Sequence, residues 1–220
     1  MRIFRFLMAA VAALSFAAAS QAATPVEGTD YTLLPTPQPT EPGKKVEVIE
    51  FFAYYCPHCN SLDPYLTDWV KKHADKVTFK RVHVSANGEP MAQQKLYYAV
   101  EAMGKLDDLH AKIFHAMHEE RVHVNTDDDA INLAVKLGLD RAKFTSFYNS
   151  FTVQTKVQRA IQQMTNYQIS SWPTLIIDGK YVTSPPQAAS RTPAVSEVEA
   201  GQIMLRMMDD LVDMAAKKRH

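Results

Sequence analysis

One segment constrains the fold of this chain more than any other. A β-branched and aromatic run over residues 46–54 leads almost directly into the tetrapeptide Cys56-Pro57-His58-Cys59. The run predicts a β-strand. Apolar residues occupy both of its alternating faces, which indicates a central strand covered on both sides, as in a parallel α/β sheet. Because a helical pattern continues to about residue 74, the two cysteines are predicted to lie at a strand-to-helix turn.

The remaining elements predict an α/β chain with a helical insertion. Further strands are predicted at 77–84, 174–178 and 180–183. Helices are predicted at 90–103, 106–118, 127–137, 141–149 and 152–165. Thr126 and Asp140 are suitable N-caps, and Asp178-Gly179 is a typical hairpin turn. A last helix follows Ser196, which forms a capping box with Glu199. The order is βαβ, then helices only, then a hairpin and a helix.

Residues 1–22 have the features of a secretory signal peptide. Arg2 and Arg5 give a positive start, residues 6–19 are uncharged and mostly apolar, and small residues precede a cleavage site after Ala22. The apolar run is shorter than the roughly 20 residues that a membrane span needs. We therefore expect an exported protein, working where disulfides persist.

Composition excludes two classes of protein. The chain has 24 basic and 24 acidic residues, so no strong field favours nucleic acid, and we expect no nucleic-acid partner. Only two cysteines occur in 220 residues, too few for a disulfide-stapled secreted scaffold. The two cysteines can therefore serve only one site, at residues 56–59.

The cysteine spacing by itself has several interpretations. Half of a zinc site would need further ligands of the same kind, and the chain has no other cysteine. A c-type haem site would need histidine where Asn60 stands. A redox pair at the start of a helix fits the context, and an inert structural disulfide stays open, although so small a loop adds little stability. We expect no metal and no cofactor other than the Cys56–Cys59 disulfide.

The start of the helix supplies redox chemistry. Cys56 is predicted at the N-cap, where unpaired N–H groups and the helix dipole favour a thiolate. Pro57 suits the first helical position, and His58 can bring positive charge near the Cys56 sulfur. Because a stabilised thiolate exists only in the reduced protein, it makes the disulfide a stronger oxidant. Cys59, one turn inside, is the expected buried partner.

On these residues the chain resembles the DsbA family of thiol:disulfide oxidoreductases. The strand that runs into Cys-Pro-His-Cys, the export signal, the helical insertion and Pro173 before the late hairpin all fit. The resemblance implies a thioredoxin fold with an inserted all-helical domain. The thioredoxin-like domain would comprise residues 23–87 and 166–220, and the helical domain residues 88–165.

The resemblance also implies a function. The chain would be a periplasmic enzyme that donates its Cys56–Cys59 disulfide to reduced exported proteins, with Cys56 accepting the attack of a substrate thiol. A DsbB-type quinone-linked membrane protein would reoxidise it, and we expect a monomer. Two alternatives remain: a disulfide isomerase or reductase of the same fold, and a non-catalytic folding or assembly module that holds partners in an apolar groove.

Three more residues are candidates for the substrate surface. Pro173 corresponds to the family's cis-proline beside the disulfide, although few X–Pro bonds are cis in general. The family usually carries a smaller residue before that proline, and this chain has Trp172. We expect Trp172 to enlarge the apolar surface and to alter the choice of substrate or partner. Tyr55 could also contact substrate, with a role in the core as the alternative.

Charged residues in apolar surroundings form a second candidate group. Glu50 lies in the central strand, and with Asp63 it makes an acidic pair that the family places beneath its disulfide, more often with Glu at the second position. Arg81 has the strand parity to point inward. A structural ion pair and a proton-transfer role for Glu50 both remain open.

Four histidines in the helical block resemble a metal cluster: His110, His115, His118 and His123. Their spacing lacks a two-ligand helix motif, so we expect a solvated helix face instead. The basic tail at residues 217–220 is likewise expected to be solvated.

Overall fold

The computed structural model describes residues 24–219, and the predicted signal peptide at residues 1–22 lies outside the described residues. The strands are β1 Thr32–Leu33, β2 Val46–Phe52, β3 Val77–His83, β4 Thr174–Ile177 and β5 Tyr181–Thr183. The helices are α1 Pro57–Lys72, α2 Ala92–Ala102, α3 Leu106–His118, α4 Asp127–Lys136, α5 Arg141–Tyr148, α6 Phe151–Asn166, α7 Pro185–Ala188 and α8 Glu197–Ala216. The long elements lie close to their predicted bounds.

The five strands form one sheet in the order β1-β5-β4-β2-β3. Strand β2 runs parallel to β3 but antiparallel to β4, so the sheet is mixed rather than parallel. The predicted central strand and βαβ unit are confirmed, and the comparison with a parallel sheet holds for β2 and β3 but not for β4. An apolar strand pattern indicates burial on both faces and not the direction of the neighbouring strand.

Strand β2 is buried along its whole length because apolar clusters cover both faces of the sheet. One cluster joins Ile49 and Phe51 to the helices that lie between β3 and β4, through residues such as Ile113. The other joins Val48 to α1 and α8, through residues such as Met208. The helices α2–α6 therefore close one face of the sheet. The division at residues 88–165 into two domains stays a prediction.

Local signals determine where several helices begin and end. The side chains of Thr126, Asp140 and Ser196 each accept a hydrogen bond from a backbone N–H in the first turn, as N-caps do. Gly104 and Gly138, just after helices, have φ of 67° and 94°. Because these bonds involve neighbours in sequence, the helix ends were predictable. Within residues 24–219, no helix is long and apolar enough to cross a membrane.

Two short elements were not predicted. Strand β1, which pairs antiparallel with β5, lies before the first predicted strand, and helix α7 lies between the late hairpin and the last helix. In the basic tail, Lys217 and Lys218 are exposed as predicted, whereas Arg219 forms an ion pair with Asp178 and donates to the carbonyl oxygen of Lys45 at 2.7 Å. His220 lies outside the described residues. These features depend on contacts between distant segments.

Candidate active site

Cys56 occupies the N-cap of α1, as predicted. Its backbone is extended, with φ −84° and ψ 115°, and its Sγ accepts a hydrogen bond from the N–H of Cys59 at 3.3 Å. Pro57 is the first residue of the helix and is exposed. Both sulfurs are free thiols, so the geometry is that of the reduced pair. Cys56 is 4% exposed and Cys59 is fully buried.

The two thiols have pKa values displaced in opposite directions. The pKa of Cys56 is lowered to about 6, chiefly by the hydrogen bond from the Cys59 thiol, against the opposing effect of burial. The backbone N–H groups of Cys59 and His58 and the charge of His58 add to the lowering. Burial raises the pKa of Cys59 far above its usual range, and Glu50 acts in the same direction. The pair therefore combines a ready thiolate with a thiol that keeps its proton.

His58 is exposed and pairs with an acid that sequence reasoning missed. Its Nδ1 lies 2.9 Å from Oε1 of Glu197, the first residue of α8. This hydrogen bond is the main cause of a raised pKa at His58. The two residues lie 139 positions apart, so no local pattern could have joined them.

The late proline lies beside the cysteines. The Trp172–Pro173 peptide bond is cis, as the resemblance implies. The Cys56 thiol donates to the carbonyl oxygen of Trp172 at 3.6 Å. The Trp172 ring packs edge-on against Tyr55, with centroids 6.2 Å apart at 87°. The Tyr55 hydroxyl is buried and has no hydrogen-bond partner among the described residues.

An apolar groove begins at these residues. It has a volume of about 400 Å³ and runs between α1, α7 and the start of α8. Its lining includes His58, Leu62, Tyr65, Trp172, Pro173 and Val198. An extended apolar segment in this groove would contact the cis-proline and Trp172, whose carbonyl oxygen accepts a hydrogen bond from Cys56.

The predicted acidic pair is assembled around one arginine. Arg81 points inward, where its Nε donates to Glu50 Oε2 at 2.8 Å and its Nη2 donates to Asp63 Oδ1 at 2.9 Å. Glu50 is 1% exposed. Burial raises its pKa to about 7, with Arg81 lowering it and Asp63 raising it further. A carboxyl of this kind can give and take a proton at neutral pH.

His110 belongs to the same cluster, and the expectation of a solvated face was wrong for this residue. It is 7% exposed, its Nε2 lies 3.1 Å from Asp63 Oδ1, and its Nδ1 lies 2.9 Å from the Tyr54 hydroxyl. His110 shares a helical phase with the buried Ile113 and Phe114, and that periodicity was the missed signal.

The other three histidines of the helical block differ in exposure. His115 and His123 are exposed, as expected, whereas His118 is half-buried and donates from Nε2 to the carbonyl oxygen of Tyr54 at 2.7 Å. Among residues 24–219, no group of three or more His, Cys, Asp or Glu is arranged to hold a metal ion.

Tyr54, two residues before Cys56, is a core residue. Its N–H, its carbonyl oxygen and its hydroxyl each form a hydrogen bond with a histidine. Besides His110 and His118, the unpredicted His83 accepts from the Tyr54 N–H through Nε2 at 3.1 Å. The Nδ1 of His83 bonds to the Val84 carbonyl, and burial lowers the pKa of His83 to about 3. These hydrogen bonds fix the chain segment before Cys56 to β3 and α3.

Comparisons with known proteins agree with this geometry. The family described as DSBA-like thioredoxin domain matches residues 86–191, and the thioredoxin family matches residues 40–106. The thiol:disulfide interchange protein DsbA of Burkholderia cepacia is 39% identical over 174 residues, which are 79% of this chain and 82% of that protein.

Solved structures give the same result. The crystal structure of Pseudomonas aeruginosa DsbA is 28% identical with a TM-score of 0.75, covering 88% of this chain and 96% of that chain. A Proteus DsbA in complex with a non-covalently bound peptide has the same fold, with 24% identity, a TM-score of 0.71 and coverage of 87% and 100%.

Proposed function

This chain belongs to the DsbA family of thiol:disulfide oxidoreductases, and from that premise we propose that it donates a Cys56–Cys59 disulfide to reduced exported proteins in the periplasm. The observation that carries the proposal is the pair of thiols with oppositely displaced pKa values at the start of α1. The predicted signal peptide at residues 1–22 supports the compartment.

The first step is attack of a client thiolate on the Cys56 sulfur of the oxidised pair. A bond between the client sulfur and Cys56 forms, the Cys56–Cys59 bond breaks, and Cys59 leaves with the electron pair. Because burial makes a Cys59 thiolate unfavourable, it takes up a proton. We assign that proton to Glu50, whose pKa of about 7 suits a general acid at neutral pH.

The second step releases the product. A second client thiolate attacks the client sulfur of the mixed disulfide, the client disulfide forms, and Cys56 leaves as a thiolate. The leaving group is good because the pKa of Cys56 is lowered to about 6, chiefly by the hydrogen bond from Cys59. His58 adds positive charge at this sulfur. Two electrons have then passed from the client to the cysteine pair.

Client recognition is assigned to the surface around the sulfurs. Pro173, Trp172, Tyr55 and the exposed Pro57 surround Cys56, and the apolar groove continues from them. The backbone beside Pro173 can pair with an extended client chain as an added strand. The peptide bound to the Proteus DsbA is in keeping with such a client.

Turnover needs an oxidant for the reduced pair. We assign this role to a DsbB-type quinone-linked membrane protein, whose disulfide the Cys56 thiolate would attack before Cys59 closes the pair. In this scheme the cysteine disulfide is the redox group, no other cofactor takes part, and the enzyme acts as a monomer.

The test is oxidation of a reduced peptide that contains two cysteines, with stoichiometric oxidised protein. We expect one peptide disulfide per protein molecule for the wild type and none for Cys56→Ser. Cys59→Ser should likewise oxidise no peptide, because a single cysteine cannot form the Cys56–Cys59 disulfide. Activity retained by Cys56→Ser contradicts the proposal, and an inactive wild type indicates a non-catalytic module. A pair trapped mainly in the reduced state in cells would favour the isomerase or reductase.

A further inference from the structure

The acidic cluster contains a histidine that the catalytic scheme has not used. We propose that His110, supplied by helix α3, is a positioning residue of the redox reaction: it holds Asp63 in the ionised state on Arg81, so that the proton shared by the two buried acids resides on Glu50. The inference rests on the proposed function, because it concerns the proton that Glu50 gives to Cys59.

Asp63 accepts more hydrogen bonds from the protein than Glu50 does. Its Oδ1 accepts hydrogen bonds from His110 Nε2 at 3.1 Å, Arg81 Nη2 at 2.9 Å and Thr67 Oγ1 at 3.4 Å. Glu50 receives only the Arg81 Nε bond at 2.8 Å among the described residues. Donors that converge on a carboxylate favour its charged form. Because Asp63 has more hydrogen-bond donors than Glu50, Asp63 is the acid that ionises first.

The protonation state of His110 follows from its second partner. The buried Tyr54 hydroxyl bonds to His110 Nδ1 at 2.9 Å, and within residues 24–219 it has no other hydrogen-bond partner. If the hydroxyl donates, Nδ1 presents its lone pair and Nε2 carries the hydrogen that Asp63 accepts. Burial and the charge of Arg81 lower the pKa of His110, which agrees with a neutral ring.

The charges of the cluster then allow one shared proton. With His110 neutral, one ionised carboxyl balances Arg81, and a second would be an unpaired buried charge. The charged and titratable groups that face Glu50 are Arg81 from β3, Asp63 and Cys59 from α1, its N-cap Cys56, and Tyr54 after β2, with His110 behind Asp63 on α3. Such a pair titrates as a unit, and His110 decides which member keeps the proton.

The test measures the pH dependence of the rate at which a thiol opens the oxidised Cys56–Cys59 pair. In the wild type we expect an inflection near pH 7, where Glu50 loses its proton. His110→Leu removes the donor to Asp63, so part of the shared proton moves from Glu50 to Asp63. The rate on the acid side of the inflection should then fall about tenfold for one pKa unit gained by Asp63 over Glu50, while the inflection itself does not move to lower pH. His110→Gln keeps an N–H donor and should restore most of the rate.

Two further variants complete the comparison. His115→Gln, an exposed histidine on the same helix, should keep the wild-type inflection. Asp63→Asn removes the second acid and its charge, so the inflection should move to lower pH, and adding His110→Leu to it should lower the rate no further. A folded His110→Leu that keeps the wild-type rate on the acid side of the inflection overturns the inference. If that variant does not fold, an unmoved inflection in Asp63→Asn overturns it instead.

Glu50→Gln separates this inference from the proposed function. It should abolish the inflection. If the inflection persists in Glu50→Gln, the proton role of Glu50 in the proposed function fails. If it disappears there but His110→Leu keeps the wild-type rate on the acid side of the inflection, only the role of His110 fails.

Discussion

At the scale of single residues, two identical side chains acquire opposite chemistry from positions three residues apart. Cys56 caps α1 and receives an N–H bond, whereas Cys59 is buried one turn inside, above Glu50. The difference needs no cofactor and no unusual residue. It follows from the free N–H groups at a helix start and from the cost of charge in an apolar interior.

Glu197 should control the titration of His58. Its carboxylate accepts the His58 hydrogen bond at 2.9 Å and raises the pKa of the imidazole. Glu197→Gln is therefore expected to lower the pKa of His58, measured from its imidazole resonances in an NMR titration. Glu199→Gln is the matched control, because that carboxylate bonds to Ser196 instead. An unchanged His58 pKa in Glu197→Gln would show that the contact is absent in solution.

Trp172 should tune the apolar surface beside Cys56. Replacing Trp172 with Val removes apolar surface that a bound client would cover, which weakens client binding by an amount on the order of 1–2 kcal/mol. We expect a KM about tenfold higher for a reduced peptide with apolar residues beside its cysteine, and an unequal change with the reoxidising partner. Stopped-flow kinetics with both reactants measure this. Equal changes with the two would argue against a role in selection.

At the scale of elements, most long helices and strands were predictable because their signals are local. Thr126 caps α4 and Gly138 follows it, and both bonds close within a few residues. Strand β1 and helix α7 lack such signals because they are too short for a periodic pattern. Strand β1 exists only because Leu33 and Tyr181 meet across the chain.

The β4–β5 turn provides a test at this scale. Asp178 and Gly179 both have positive φ, and a Cβ on Gly179 would lie 2.2 Å from the carbonyl oxygen of Gln38. Gly179→Ala should lower the free energy of unfolding by about 3 kcal/mol, from backbone strain and this clash. Gly104→Ala, with positive φ but open space, should cost only about 1 kcal/mol. Equal losses in urea titrations would contradict the clash.

At the scale of the whole molecule, the helices between β3 and β4 contribute to the active site as well as to the core. They cover one face of the sheet, and α3 supplies both His110 and His118. The charged cluster therefore lies where β2, β3, α1 and α3 meet. Burial at that junction is what raises the pKa of Glu50 to about 7.

The buried Glu50 should make the free energy of unfolding depend on pH. The pKa of Glu50 is raised from 4.5 to about 7 in the folded protein, so its contribution to stability is complete below pH 4.5 and is lost as the pH rises through 7. Relative to the wild type, Glu50→Gln should gain about 3 kcal/mol of unfolding free energy between pH 4 and pH 8. Urea unfolding at several pH values measures the difference. A difference that does not vary with pH would contradict a protonated buried Glu50.

The sequence by itself determined the local chemistry of this protein: a central strand, a turn with Cys56 at a helix N-cap, and Cys59 one turn inside. Only the tertiary structure decided which groups meet that pair. Arg81 turned inward, His110 reached Asp63 from α3, and Glu197 reached His58 from 139 residues away. The physical reason is range: caps and periodicity act within a few residues, whereas the pKa of a buried group depends on side chains that packing brings together.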